Sequence, residues 1–297
     1  MGGGAAAAPP RNRSLNLTVV RESWRLHPLS WIHRAEARSL SGELRRAGYI
    51  VANRRFRNDG IFDLPSGPLL LRLSDPVMFA AVQALERAGR AFIGPSTAIM
   101  ERCYDKYAAW RSVSADAIDC PTTALASGAD DVPSPLVLKP RRGSDSLGLR
   151  ILPTGRIPAR RRSDDYIVQP YIRGAELTVA VLRGRVGLPL QIFLPEGAPY
   201  SFARKYLWRP RRAPLAESAL AERVQATAVA IACAFDVDWA ARIDLIYETA
   251  TARLRFLECD VAPLIGAGSA FAESLAAGGI ARAEQLRLLL HDGGAGS

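Results

Sequence analysis

The sequence predicts a mixed α/β (α+β) protein in which a small parallel α/β unit precedes a series of paired strands. Three observations carry this. Strand-like and helix-like segments alternate over about the first 95 residues, the pattern of βαβ units. After Pro121 the pattern changes to pairs of short strands. An alanine-rich helical stretch from Ala213 to Phe235 then leads into a strand pair. A length of 297 residues fits two domains or one composite enzyme of intertwined subdomains.

Taken in order, residues 16–21 form a β-type run, and Ile32 to Ala47 a helix with apolar positions at Ala37, Leu40 and Leu44 and a stop at Gly48. Tyr49 to Ala52 and residues 67–72 read as strands. Asp75 is expected to cap a helix through Ala88, ended by Gly89. Phe92 to Pro95 reads as a strand ending in a turn, and Met100 to Ser114 as helix-forming sequence. The strands expected next are 136–140, 149–152, 166–169 and 177–182, with Arg156 to Arg162 as a basic surface loop broken by Pro158. The final strands are 241–247 and 254–258, followed by helix after Ala267.

Composition narrows the class. A chain with 48% hydrophobic and 23% charged residues has the make-up of a globular protein, not of a disordered or collagen-like one. No apolar run reaches about 18 residues, so a membrane span is not expected. Residues 1–10 are small and mostly apolar, without a basic region ahead of an apolar core, and read as a flexible tail in place of a secretory signal. Four cysteines without CxxC or metal spacing imply ordinary thiols in a reducing cytoplasm. The formal charge of +10, nearly all from arginine, fits either a nucleic-acid partner or a site for an anionic substrate such as a nucleotide.

Four segments could carry chemistry. In 139–148 (KPRRGSDSLG) a strand delivers Lys139, and a bend of small residues follows whose N–H groups can fold over phosphate oxygens. An ordinary hairpin would look the same, and no GK[ST] opens a helix as in a Walker loop. Asp244 lies in an apolar strand context, and Glu258 and Asp260, two apart, face one side of an extended chain. Carboxylates gathered at strand ends repel unless a cation sits between them, and hard oxygens suit Mg²⁺ carrying phosphates. The bland alternative is surface strand ends. Arg242 shares a strand face with Asp244 and could stabilise developing negative charge or simply pair with it. The fourth segment, 169–178 (QPYIRGAELT), reads as strand, linker and strand, with Glu176 just before the second strand.

The order of these elements resembles the ATP-grasp superfamily, most closely its D-alanine–D-alanine ligase branch, over about residues 30–285. The resemblance implies three subdomains with ATP in the cleft between the central and C-terminal ones. The expected boundaries are a disordered tail at 1–14, an N-terminal α/β subdomain at 15–100, a central one at 101–175 and a C-terminal one with the metal site at 176–297. In this resemblance Lys106, after Asp105, and Lys139 meet the ATP phosphates, and 143–148 is the covering loop with Ser144, Asp145 and Ser146. Gln169, Pro170, Tyr171 and Ile172 occupy the adenine hinge, where the Pro170 C=O and the Ile172 N–H would meet the base. Glu176 falls on the ribose-binding glutamate, and Lys205 on a lysine that reaches the γ-phosphate. Asp244, Glu258 and Asp260 fall on the ligands of Mg²⁺ (or Mn²⁺), Arg242 on the oxyanion-stabilising arginine, and Ser269 on the residue that holds the acceptor carboxylate.

Several positions depart from the family pattern. Asp260 replaces an asparagine, Leu264 a glycine after Pro263, and Ala270 the leucine of a Ser-Leu pair. Asp145 stands where a donor-orienting serine is usual, and the family's N-terminal glutamate has no counterpart in His27-Pro28-Leu29. The resemblance therefore implies an ATP-dependent carboxylate–amine ligase acting through an acyl-phosphate on an amino-acid-like substrate. Its specificity is expected to be specialised, as in antibiotic biosynthesis: either intramolecular ring closure, similar to D-cycloserine synthetases, or an altered dipeptide ligase. A homodimer is implied as well. A reading of another class is a non-catalytic nucleotide- or nucleic-acid-binding protein using arginines at 141–142, 156–162 and 209–212. Against it, no aromatics interleave with those runs to stack bases.

Overall fold

Three sheets organise the chain in a computed structural model that describes residues 16–23, 30–57, 63–116, 118–129, 132–143, 146–195 and 210–290. The first is parallel, in the order β2-β1-β3, built from β1 (Asn16–Arg21), β2 (Ile50–Arg55) and β3 (Leu69–Arg72). Helix α1 (Ser30–Arg46) covers one face: its Ala37, Leu40 and Leu44 share a core with Leu17, Val19 and Leu70. Helix α2 (Asp75–Arg87) covers the other, with Met78, Val82 and Leu85 against Val20, Leu69 and Leu71. A parallel sheet buried on both faces explains why β3 is apolar along its length except for Arg72. Two expectations change here. Ser74, not Asp75, holds the N-cap position of α2, and its side chain makes no cap bond. The strand expected at 92–95 reduces to a single parallel bridge, Ile93 to Leu70.

The helix-forming sequence at 100–114 falls in two helices, α3 (Thr97–Tyr104) and α4 (Lys106–Ala115). Asp105 between them is extended (φ −85°, ψ 100°), because it forms an antiparallel bridge with Arg142 and turns its carboxylate onto the start of α4. The second sheet is antiparallel, in the order β4-β7-β5-β6, from β4 (Ala124–Leu125), β5 (Leu136–Pro140), β6 (Arg150–Leu152) and β7 (Tyr166–Pro170). Its Leu136, Leu138 and Val168 bury a small core of their own with Ala126, Ala129 and Ile157. The basic loop contains a 3-10 turn, Ala159–Arg161, with Arg161 stacked 4.9 Å from the Tyr166 ring centroid.

The third sheet comprises β8 (Ala175–Leu182), β9 (Arg185–Val186), β10 (Leu190–Ile192), β11 (Arg212–Pro214), β12 (Ala240–Glu248) and β13 (Arg253–Asp260). Its order is β11-β10-β8-β12-β13, with β9 paired to β8. Helix α5 (Ser218–Ala234) starts five residues later than Ala213, because Arg212–Pro214 instead pairs with β10 as an edge strand, a position that tolerates proline. Leu177, Val179, Ile243 and Leu245 meet α5 residues Val224, Ala228 and Ile231 on one face. Ala180 and Leu182, of the opposite parity, join the α1 core with α6 (Ala270–Ala277) and α7 (Arg282–Leu290). The first and third sheets thus share continuous cores. Among the described residues no helix is long and apolar enough to cross a membrane.

Candidate active site

The alternation of strands aims the polar residues of two sheets at one cleft. On β5 and β7, Val137 pairs with Gln169 and Lys139 with Ile167, and this face is opposite to the one that buries Leu136 and Leu138. On the third sheet, Glu176 pairs with Ile246 and Thr178 with Asp244, opposite to the face packed on α5. Between the two faces lies a cleft of about 930 Å³, its open mouth included. Lys106, Lys139, Ser146 and Gly143 line its lysine side, and Pro170, Tyr171, Ile172 and Glu176 line it at the link between β7 and β8. Val137, Leu149, Ile151 and Leu257 give the same cleft an apolar lining. That link is pinned by the Tyr171 N–H, which donates to the Pro135 carbonyl at 2.7 Å. Gln169 lines the cleft too, but its amide donates to Thr123 Oγ1 at 2.8 Å, which makes it a support for the floor.

Asp105 positions Lys106. Its Oδ1 accepts from the N–H groups of Tyr107 and Ala108, both at 3.1 Å, and so caps α4. Arg141 Nε donates to both carboxylate oxygens at 2.9 and 2.8 Å, and Arg142 Nη2 to Oδ2 at 3.1 Å. The Lys106 N–H completes the link, donating to the Arg141 carbonyl at 2.9 Å, while Lys106 Nζ donates to the Gly143 carbonyl. Burial alone would raise the Asp105 pKa; the Arg141 hydrogen bonds, the Ala108 N–H and the charges of Arg141 and Arg142 outweigh it and hold the carboxyl below its ordinary value. One carboxylate therefore ties a helix start to the loop after β5.

Arg242, Asp244, Glu258 and Asp260 meet on the β12–β13 hairpin, where Arg242 opposes Asp260 and Asp244 opposes Glu258. A bulge beside them shifts the register, since Leu245 pairs with Phe256 and Leu257 is left over. Arg242 Nε and Nη2 donate to Asp244 at 3.0 Å each, Nη1 lies 3.3 Å from Asp260, and Nη2 lies 3.6 Å from Glu258. Asp244 Oδ1 also accepts from Thr178 Oγ1 at 2.7 Å. Burial works against the Arg242 charge, but Asp244, Asp260 and Glu258 outweigh it and hold the guanidinium well above its usual pKa. The three carboxylates converge on this guanidinium, and among the described residues no set of three acidic, His or Cys groups closes on a common metal point. Their chemistry nonetheless fits a divalent cation: all offer hard oxygens, and Asp244 and Glu258 line the same cleft as Lys106 and Lys139.

Beyond Arg242 lies a second pocket, lined by Trp31, Glu36, Thr178, Arg212, Arg242 and Ser269 among others. Thr178 and Arg242 thus face this pocket while their partner Asp244 faces the cleft. Ser269 caps α6, its side chain accepting from the Ala272 N–H at 3.1 Å.

Of the residues expected at the site, Lys106, Lys139, Ser146, Gln169, Pro170, Tyr171, Ile172, Glu176, Asp244 and Glu258 line the cleft. Asp260 lies with Arg242 in an adjoining recess, and Ser269 in the second pocket. Ser144, Asp145 and Lys205 fall outside the described residues. Sequence reasoning missed Thr178, Glu36, Trp31 and Arg212. Only Thr178 carried a signal, its two-residue spacing from Glu176 on β8.

Two sheets thus close on a cleft, with lysines on one wall and an Arg-x-Asp/Glu-x-Asp hairpin on the other. Residues 103–192 match the family described as ATP-grasp domain. A curated D-alanine–D-alanine ligase from Syntrophotalea carbinolica is 35% identical over 122 residues, which covers 38% of this chain and 39% of that protein. The chain therefore aligns with less than half of that relative's length. The D-alanine–D-alanine ligase of Bacillus anthracis complexed with ATP has a TM-score of 0.75 at 17% identity, over 93% of this chain and 96% of that one. D-alanyl-alanine synthetase A of Vibrio cholerae has a TM-score of 0.73 at 14% identity, over 93% and 97%. The chain carries an ATP-grasp domain and has the overall fold of the D-alanine–D-alanine ligase-like branch.

Proposed function

We propose that this chain is an ATP-dependent ligase that joins a carboxylate to an amine through an acyl-phosphate. The observation that carries the reading is the shared wall: Arg242 and Thr178 face the second pocket while Asp244, bonded to both, faces the cleft. A nucleotide in the cleft would thus meet a second substrate across a single layer of side chains. In the first step a substrate carboxylate oxygen attacks the γ-phosphorus of ATP, forming the acyl-phosphate and releasing ADP. In the second, a neutral amine attacks the acyl carbon, the acyl C–O bond breaks with its electron pair going to the departing phosphate, and the nitrogen loses a proton. Lys106 and Lys139 orient the phosphates, and Arg242 stabilises the oxyanion of the tetrahedral intermediate. Asp244 and Glu258, with Asp260 beside them, would hold Mg²⁺, which when bound neutralises charge on the phosphates. Lys205 and the loop residues Ser144 and Asp145 belong to the same proposal through the family resemblance alone.

The finer reading is an enzyme of specialised metabolism, such as antibiotic biosynthesis, that closes a ring within one substrate. The departures at Asp260, Leu264 and Ala270 support altered specificity and leave a dipeptide ligase as the competing form. The three-subdomain division, the cytoplasmic location and a homodimer complete the proposal.

The test is a phosphate-release screen of amino acids, alone and in pairs, with mass detection of products. Lys139→Ala is expected to abolish ATP-dependent phosphate release; undiminished turnover sinks the assignment. A ring-former gives a product one water lighter than a single substrate molecule, whereas a dipeptide ligase gives one that joins two molecules, alike or different.

A further inference from the structure

Four arginines gather at the carboxyl end of the parallel sheet. On β1, Leu17 and Val19 pack into the core under α1, so Arg21, two residues further, leaves the sheet on that same face. On β2 the face carries Val51, then Asn53, then Arg55. Arg21 and Arg55 are register partners, so their side chains start about 4.8 Å apart on neighbouring strands. Helix α1 follows β2 in step: Arg45 Nη2 donates to the Val51 carbonyl at 2.8 Å, and Ser41 Oγ to Asn53 Oδ1 at 2.9 Å. Arg38 and Arg34, one and two turns before Ser41, continue that stripe to the strand ends.

Elsewhere in the chain, arginines of low exposure are paired: Arg72 with Glu36, Arg242 with Asp244 and Arg282 with Glu43. In this cluster no carboxylate among the described residues forms an ion pair with any of the four. Burial, and after it the charges of Arg55, Arg34 and Arg38, hold the Arg21 guanidinium below its ordinary pKa. Arg21 Nε is buried with no hydrogen-bond partner among the described residues. Arg38 and Arg55 are exposed, so the cluster is open to solvent, and none of the four lines the cleft or the second pocket.

We propose that this cluster binds a small phosphate-bearing anion of two or more negative charges, at a site separate from the ATP cleft. The guanidinium forks arrive from two layers, the strand ends and the helix. A tetrahedral phosphoryl group offers oxygens toward both, whereas a planar carboxylate meets one fork at a time. The first turn of the 17-residue α1 adds its partial positive charge on the same side. A cluster confined to one end of a three-stranded sheet fits a compact ligand better than the extended track of a nucleic-acid backbone. The site is independent of the ligase reading and stands or falls without it.

The test is calorimetric titration of inorganic pyrophosphate and of citrate into the full chain at constant ionic strength, with thermal melts alongside. The wild type is expected to bind pyrophosphate, and Lys139→Ala, a change inside the cleft, to keep that binding. Arg38→Gln and Arg55→Gln, both at exposed positions, should each weaken it about tenfold or more, the span of one charge-assisted hydrogen bond, with affinity for an ATP analogue unchanged. Without the anion, the same two variants should melt roughly 1–3 °C above the wild type, because each relieves repulsion among the remaining three. Arg156→Gln, on the exposed basic loop, controls for net charge and should do neither. Absence of pyrophosphate binding overturns the proposal, as does binding that Lys139→Ala abolishes and the arginine variants keep. Citrate bound as tightly as pyrophosphate refutes the phosphate class. Variants that melt no higher than the wild type would show that the four charges are already matched, which also refutes it. A short single-stranded oligonucleotide that binds more tightly than pyrophosphate through the same arginines would replace the proposal with a nucleic-acid surface.

Discussion

Asp105 offers the sharpest test of how the fold positions Lys106 in the cleft. Asp105→Ala removes two separable contributions. The first is the cap on α4, formed by two N–H groups at 3.1 Å, and such a cap is worth about 1 kcal/mol. The second is the charge-assisted pair with Arg141 at 2.8–2.9 Å, worth about 1.5–3 kcal/mol. The Arg142 contact adds little, because that side chain is largely exposed. The expected loss is about 2.5–4 kcal/mol for Asp105→Ala, and at most about 1.5–3 kcal/mol for Asp105→Asn, since asparagine still caps. The pH dependence separates the two variants. The Asp105 carboxyl is held below its ordinary value in the folded protein, so its stabilisation is complete above the unfolded value of about 3.9 and is lost as pH falls through the folded one. Urea denaturation followed from about pH 7 to about pH 3 should therefore show an acid-side loss in the wild type that Asp105→Asn lacks. Lys106 follows Asp105 directly, so both variants should also weaken binding of a fluorescent ATP analogue. If Asp105→Asn keeps the wild-type acid limb, or is as unstable as Asp105→Ala, the assigned roles are wrong.

Two further substitutions probe the framework. A Cβ on Gly174 would stand 2.2 Å from the Tyr247 carbonyl oxygen and 2.8 Å from its carbon. Gly174→Ala should therefore push β8 away from β12, cost about 1–3 kcal/mol or more, and weaken nucleotide binding at the hinge; an unchanged melting temperature contradicts this close approach. Glu36→Ala leaves the fully buried Arg72 without its carboxylate, which should cost about 3–5 kcal/mol. The double variant with Arg72→Met should recover much of that loss, because an apolar side chain of similar volume needs no partner; failure to recover would show that the Ile265 and Gly266 N–H bonds dominate.

Much of this fold could be read in advance where local pattern decides it. The lysine at the end of β5, the link between β7 and β8 and the carboxylates of the last hairpin follow from period-two alternation and short spacings, while a role for that link came from the family resemblance alone. What could not be read depends on partners far along the chain. Residues 97–115 have continuous helical propensity, and the break at Asp105 arises because Arg141 and Arg142 reach it from 36 and 37 positions away. Arg212 was read as part of a basic run, and its place in the second pocket depends on Gly268 and Glu273, 56 and 61 positions on. Glu36 lies in the middle of a helix and meets Ile265 and Gly266 across more than 200 residues.

The last hairpin shows how local reading succeeds and still leaves a gap. Strict alternation along Leu254, Phe256, Glu258 and Asp260 puts all four on one face, so the carboxylates would enter the core or Phe256 would leave it. The structure satisfies both demands. Phe256 pairs with Leu245 and packs on Phe235 at 6.0 Å, while Glu258 pairs with Asp244 on the opposite face. The unpaired Leu257 makes this possible by reversing the parity of the strand between them. The Phe256 N–H, turned from the regular ladder, donates instead to the Asp119 carbonyl at 2.8 Å, so the irregularity leaves that donor satisfied. The spacing of Glu258 and Asp260 predicted that they share a face; which face they share was decided by one extra residue, and one residue is enough because the period of a strand is two.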